Sequence, residues 1–378
     1  MASQQLQAIL DKAVAEGIAP GLTAAVAWPD GTASHLAAGA RGLADPTPMD
    51  PGALFWIASC TKAITSAAAL QLVERGMLDL DEPVGTRLPA LASPQVLDGF
   101  GADGAPRLRP ARQPVTLRTL LTHTSGLAYD FFHGDLARYF AATGESLGGT
   151  LTTAPRLVFD PGEDWQYGVG IDAAGWLIEA ASGQSLPEYF ADHILGPLGM
   201  ADTGFEPDAA RSARLVGMHA RGADGALATA GRFPTPPALY GGGGLFSTAG
   251  DYLTFLRAVL AADGGGVFGP QALEMLRASE TRVGSAGDLT TSAPPLSYDF
   301  RPMPGTPKTH TLGFLRNEAD LAGGRRAGSL AWGGLANCYY WADPASGVAG
   351  VLFAQFLPFA DPAMLGVFGA FEQAVYAD

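Results

Sequence analysis

Apolar positions along this chain recur with three different spacings, and each spacing predicts a different kind of element. Residues 3–16 repeat apolar side chains at helical intervals up to Gly17, which predicts an amphipathic helix. Leu22 to Trp28 and Ala33 to Ala38 are apolar runs on either side of Pro29-Asp30-Gly31, the signature of a β-hairpin. Ala63 to Val73 is apolar on nearly every face, interrupted only by Thr65, Ser66 and Gln71, with Gly76 as its stop. A helix of that kind belongs at a protein's centre. Helices are also expected over Ile171 to Ala181, closed by Gly183, over Pro187 to Ile194, and from an N-cap at Ser247 to about Ala261. Asp81 to Pro114, punctuated by proline and glycine, reads as loop. The last third turns to strands at Gly328–Trp332, Cys338–Ala342 and Val348–Leu357, with Asp343 to Gly347 as a turn, before a closing helix over Asp361–Tyr376.

Strands at both ends and helices between them predict an α/β chain of the α+β kind. One antiparallel sheet of about five or more strands is flanked by the N- and C-terminal helices. Residues 1–60 and 235–378 form the sheet domain, and residues 61–234 an inserted, mainly helical domain, with a site in the cleft between them.

Composition narrows the partners. The 378 residues are 47% hydrophobic, enough for a sizeable core, and carry a formal net charge of −14. That sign argues against nucleic acid or an anionic membrane as partner. No apolar run reaches the length of about 18 residues that a membrane span needs. The N-terminus lacks the basic and apolar regions of a signal peptide, which leaves the cytoplasm as the expected location. Cys60 and Cys338 are too few for a disulfide framework and read as small packing residues. No metal-ligand spacing, no phosphate-binding glycine motif and no Gly-x-Ser-x-Gly elbow is present, so no metal and no cofactor is expected. Nothing in the pattern specifies an oligomeric state.

Chemistry concentrates where the central helix begins. Phe-Trp-Ile-Ala-Ser-Cys-Thr-Lys over 55–62 places Ser59 at the helix entrance and Lys62 three residues on, on the same face. A capping box would have Glu or Gln at 62, and a cation there opposes the helix dipole. Stability therefore disfavours Lys62. Chemistry favours it: burial and the helix end are expected to lower its pKa, by as much as about 3–5 units for a fully buried amine, so that a neutral amine takes the Ser59 proton. The chain has only three lysines, and only Lys62 has a serine three residues before it.

The order Ser59-Cys60-Thr61-Lys62, then Tyr167, then Trp332-Gly333-Gly334 resembles the three motifs of the serine β-lactamase and penicillin-binding-protein superfamily. It is most similar to the superfamily's esterases, the class C β-lactamase-like family VIII carboxylesterases. Leu121 to Leu127, Trp165 to Tyr167, Pro197 to Met200, Asp202 to Phe205 and Gly241 to Gly244 before Ser247 extend the resemblance over nearly the whole chain. It implies Ser59 as an acylated nucleophile, with Lys62 and Tyr167 sharing base and acid work in an order left open. It implies an oxyanion hole from the backbone N–H groups of Ser59 and Leu335. Gly333 and Gly334 would let the strand approach the acyl group, and Tyr129 and Trp332 would wall the pocket. Lys308-Thr309-His310 looks like a second version of the third motif but lies among prolines unsuited to a central strand, and is set aside.

Two departures bear on substrate. Trp332 stands where β-lactamases carry a Lys or His for the substrate carboxylate, and Val169 stands where they carry Asn for the substrate amide. The expectation is hydrolysis of short- to medium-chain carboxylic esters, a small-molecule ester being the partner. A β-lactamase, a D-amino-acid amidase or peptidase, and an acyltransferase remain as uses of the same acyl-enzyme. A non-enzymatic penicillin-sensing or scaffold domain is the remaining alternative. Segments 98–114, 129–150 and 279–310 are expected to shape the pocket.

Overall fold

A computed structural model of the chain describes residues 2–147, 155–231, 240–281 and 286–377. Its centre is a seven-stranded antiparallel sheet, in keeping with the expectation of about five or more strands. The strands are β1 (Gly21–Ala27), β2 (Ala33–Gly39), β3 (Lys308–His310), β4 (Leu315–Asn317), β5 (Leu330–Gly334), β6 (Cys338–Asp343) and β7 (Val348–Phe353), in the spatial order β3-β4-β5-β6-β7-β1-β2. The N-terminal hairpin joins the C-terminal strands through β1 and β7, with Thr23 opposite Phe353 and Ala27 opposite Ala349. Strands β1, β5, β6 and β7 are buried along their whole length, which is why they read as continuous apolar runs rather than alternating ones.

Neighbouring side chains on β6 show what covers each face. Trp341 packs against Phe368 and Phe371 of α5 (Pro362–Val375), and Tyr340 packs against Tyr252 of α4 (Ala249–Leu260). Successive residues of a strand point to opposite faces, so α5 and α4 sandwich the sheet. The N-terminal helix α1 (Ala2–Ala15) packs beside α5. The central helix α2 (Thr61–Glu74) is buried from Thr61 to Leu72 and packs against α3 (Gly170–Ser182). Local chemistry sets the ends: Asp361 caps α5 through the Met364 N–H, with Pro362 in its first turn, and Gly183 closes α3 in the left-handed conformation.

Several expected elements are corrected. The stretch expected as loop contains strands at Gln95–Phe100 and Pro106–Pro110, because each supplies backbone pairing for the other. Ser247 is not a cap: it pairs with Phe55 in a two-stranded ribbon, and Thr248 caps α4. The helix expected over 187–194 is Leu186–Phe190 followed by a wider-wound turn over Ala191–Leu195. The last strand run splits, Val348–Phe353 in the main sheet and Phe356–Leu357 beside His219–Arg221. Lys308–His310 is a strand after all, tolerated among prolines because it lies at the sheet edge. The expected boundary at 234/235 lies outside the described residues, as do 148–150 and 282–285 of the segments expected to shape the pocket. No helix among the described residues is long and apolar enough to cross a membrane.

Gly350 faces Trp341 across the strand pair, and a Cβ built on it would lie 2.1 Å from the indole ring. Trp341 is fully buried and has no room to retreat. Gly350→Ala is expected to destabilise the fold by about 1–3 kcal/mol through overpacking, read as a lower urea midpoint; an unchanged midpoint would contradict this packing.

Candidate active site

The entrance to α2 is a clamped turn. Phe55 and Trp56 pair with Ser247 and Phe246, the Ile57 N–H donates to Leu245 O, and residues 58–60 wind tightly before the α-helix starts at Thr61. Ala58 holds a φ of 45°, a left-handed conformation that alanine adopts only when its surroundings over-determine it. The surroundings do so. The Trp56 N–H donates to Gln355 Oε1 at 2.8 Å, the Trp56 indole donates to Gly243 O at 2.8 Å, and Tyr252 donates to Cys60 O at 2.8 Å. The end of β5 presses on the same turn: a Cβ on Gly334 would lie 2.2 Å from Ile57 O. Glycine at 334 is therefore what allows β5 to reach the turn that carries Ser59.

Lys62 is 4% exposed, and its ammonium donates to three acceptors: Ser59 Oγ at 3.1 Å, Tyr129 Oη at 3.1 Å and Gly242 O at 2.6 Å. Gly242 also donates its own N–H to Asp172 Oδ1 at 2.8 Å, and Asp172 is itself buried on the first turn of α3. One glycine residue thus bridges a buried cation and a buried carboxyl. A Cβ on Gly242 would lie 2.6 Å from Asp172 Oδ2, so close approach requires glycine. Thr65 anchors the preceding peptide through Gly241 O at 2.6 Å.

These contacts reverse the expectation for the Lys62 amine. Burial alone pulls its pKa down, but the oxygens of Tyr129 and Tyr167 and the Asp172 carboxyl outweigh burial, and the pKa rises above that of an ordinary lysine. Lys62 rests as an ammonium. Burial lifts the Asp172 carboxyl above the usual range, with Lys62 and the Gly242 N–H opposing the lift. Burial likewise raises Tyr129, with Lys62 opposing.

Tyr167 comes from a loop that locks onto another. The Gln166 N–H donates to His123 O at 2.9 Å, the Tyr129 N–H donates to Tyr167 O at 3.3 Å, and a Cβ on Gly168 would lie 1.9 Å from Leu127 O. The rings of Tyr129 and Tyr167 therefore lie side by side, 5.5 Å between centroids, and the Lys62 ammonium sits 4.8 Å from the centre of the Tyr167 ring. Trp332 of β5 donates its indole N–H to Tyr167 Oη at 3.1 Å.

Ser59, Tyr129, Tyr167, Trp332, Gly333 and Leu335 line one small cavity of about 150 Å³. Phe131, Phe132, Leu289 and Phe359 complete a wall in which the described residues include no Lys, Arg or His. Gly334 lies just behind it, against Ile57. Lys308 points elsewhere, pairing with Asp288 at 2.7 Å and Pro302 O at 2.9 Å.

Sequence reasoning missed Asp172, Gly242 and the direct bond from Lys62 to Tyr129, which it had only as a pocket wall. Asp172 was masked by its position, since an acid in a helix's first turn already has a dipole explanation. A carboxylate, Asp172, among the apolar residues that open the helix was the available signal. It also missed the histidine pair behind the tyrosine, where His123 and His310 meet edge to face at 5.2 Å.

A family model described as "Beta-lactamase" matches residues 6–367. Monacolin J acid methylbutanoyltransferase from Aspergillus terreus is 38% identical over 341 residues, covering 85% of this chain and 81% of that protein. Lovastatin esterase from Penicillium rubens is 34% identical over 322 residues, covering 79% of this chain and 78% of its own. Among solved structures, unliganded simvastatin synthase from Aspergillus terreus superposes with a TM-score of 0.89 at 32% identity, covering 100% of this chain and 98% of that one.

Burial lowers the His310 pKa from 6.5 to about 4, against the opposing pull of Thr311 O. A histidine held neutral in the fold binds fewer protons than in the unfolded chain. Stability from this group is whole above pH 6.5 and is lost as pH falls from 6.5 towards 4, by about 3 kcal/mol at most. His310→Gln is expected to flatten that part of the stability–pH curve in denaturant titrations; parallel curves for variant and parent would refute the buried neutral imidazole.

Proposed function

The chain belongs to the beta-lactamase family, and from that premise we propose that it is an acyl-enzyme catalyst that moves an acyl group from an ester to an alcohol, or to water when no alcohol is bound. The observation that carries the proposal is the Ser59 hydroxyl, 3.1 Å from a buried ammonium at the floor of an apolar cavity. Two relatives lend support, one named as an acyltransferase and one as an esterase.

In this reading Ser59 Oγ attacks the acyl carbon as its proton passes to the oxygen of Tyr167. That proton then goes to the departing alkoxide, leaving an ester on Ser59. The acceptor alcohol repeats the steps in reverse, giving its own proton to Tyr167 and taking the acyl group. Lys62, already protonated, is a poor resting base. Its role is electrostatic: it holds Ser59 and Tyr129 and places positive charge beside the Tyr167 ring. The Trp332 N–H adds a donor to the Tyr167 oxygen, where negative charge must be carried. The backbone N–H groups of Ser59 and Leu335 are the proposed oxyanion donors, each worth on the order of 3 kcal/mol of barrier.

The wall chemistry favours an alcohol over water as acceptor. Aromatic and aliphatic side chains around Ser59 stabilise an apolar acceptor by burial and offer water few partners. A lactam carrying a carboxylate finds no cationic side chain among the described lining residues, so lactam hydrolysis is the weaker reading.

With p-nitrophenyl butyrate, stopped-flow mixing should show a burst of nitrophenol equal to the enzyme concentration, and added 1-butanol should divert the acyl group to butyl butyrate. Ser59→Ala should abolish the burst and lower turnover at least 10³-fold; wild-type turnover in that variant would end the proposal, as would nitrocefin turnover faster than ester turnover. Trp332→Phe removes the donor to Tyr167 and should slow acylation roughly 10- to 100-fold, one hydrogen bond to a charged group being worth about 1.5–3 kcal/mol. An unchanged acylation rate in Trp332→Phe would remove the Trp332–Tyr167 hydrogen bond from the proposed proton path.

A further inference from the structure

Asp172 is 4% exposed and is the only charged side chain among the buried positions of α3. The helix dipole favours a first-turn acid only weakly at a surface, and taking an ion out of water costs more than that. Dipole chemistry alone therefore leaves a buried carboxyl unexplained. The path of the glycine run supplies a reason. Gly241 passes between α2 and α3, where a Cβ would lie 3.0 Å from Thr65 Cγ2 and 3.0 Å from Ile171 O. That path sets Gly242 between two opposite charges. Its O accepts from Lys62 Nζ at 2.6 Å, and its N–H donates to Asp172 Oδ1 at 2.8 Å.

Among the described residues, Asp172 is the one carboxyl group that faces Lys62. The other facing groups are Tyr129 and Tyr167, and a phenol carries a full charge only once ionised, whereas a carboxylate carries it through the neutral range. Burial pushes the Tyr129 phenol up and so delays its ionisation. His123, on the loop that leads to Tyr129, is held neutral by burial, and burial keeps the Cys60 thiol protonated. Tyr129 also faces Asp172, as does Tyr240 from just before the glycine run, its phenol likewise raised by burial. Burial lifts the Asp172 carboxyl and Lys62 opposes the lift, so each charge supports the other. Without the carboxylate, burial would decide the state of the amine, and burial favours the neutral form.

We propose that Asp172 is a positioning residue of the Ser59 reaction: through Gly242 it keeps Lys62 an ammonium aimed at the Ser59 hydroxyl, which leaves the proton-accepting role to Tyr167. The inference rests on the acyl-enzyme reading of Ser59 and names the group that divides the work within it. Asp172 touches no reacting atom; it acts through the amine.

Asp172→Asn removes the charge while keeping the side chain's size and an oxygen for the Gly242 N–H. The chain holds only three lysines, Lys12, Lys62 and Lys308, so carbon-13 labelling of lysine gives three Cε signals, assigned with Lys12→Arg and Lys308→Arg. In the parent, the Lys62 signal should hold its ammonium position beyond about pH 10.4, the ordinary lysine midpoint. In Asp172→Asn it should titrate below that pH, because losing a nearby negative charge favours the neutral amine. The burst rate of the variant relative to the parent, with p-nitrophenyl butyrate, should fall roughly tenfold between about pH 7 and pH 10.4 along the same curve. A purely structural loss would lower that ratio equally at every pH, and a ratio independent of pH overturns the proposal. So does a Lys62 signal that keeps its ammonium position in Asp172→Asn, or one that titrates below about pH 10.4 in the parent; the last measurement needs no variant to fold. A parent that gives no burst would remove the acyl-enzyme reading instead, and the lysine signals would then decide the charge link alone.

Discussion

A buried ammonium governs this architecture. Taking a lysine to 4% exposure costs several kcal/mol unless its donors are met, and Lys62 meets all three: on the turn before its own helix, on the loop of Tyr129, and on the glycine run. The countercharge is one residue away through Gly242, at Asp172 on a second helix. Four segments distant in sequence are thus tied to one charge, and none of them can shift without leaving it unpaired. The site and the stability of the helical layer are in this sense the same set of bonds.

Close backbone approach makes that arrangement possible. Gly242, Gly168 and Gly334 each stand where a Cβ would overlap an oxygen of another segment. Ala58, by contrast, keeps a side chain in a left-handed turn and is held there by its neighbours. The stiff element behind them is the sheet, whose fully buried strands β5 to β7 fix the position of Trp332 and of the turn before Ser59.

A rigid cation beside a hydroxyl suits acyl transfer better when water is scarce. The aromatic enclosure of the cavity, the protonated state of Lys62 and the absence of a cationic anchor among the described lining residues point the proposed chemistry towards uncharged esters and alcohols. Hydrolysis and transfer share every step up to the second attack, so the acceptor that the wall admits decides between them. The relatives named for transfer and for hydrolysis lie on either side of that division.

Much of the fold was legible in periodicity. The hairpin at 21–39, the apolar α2, the closing helix and the antiparallel sheet follow from local spacing and turn residues, and the nearness of Ser59 and Lys62 follows from one helical turn. The strands at 95–110 and 308–317 were hidden because short edge pairings leave little pattern in their own residues; their partners define them. The charge state of Lys62 was hidden for a related reason. Burial could be read from the helix and points down, whereas Tyr129, Tyr167 and Asp172 come from three other places in the chain and point up. By itself the sequence determined which residues are helical or extended and which hydroxyl faces which amine, because those depend on neighbours a turn or a pleat away. Only the tertiary structure decided what surrounds that amine, because electrostatic energy depends on distance through space, and distance along the chain says nothing of it.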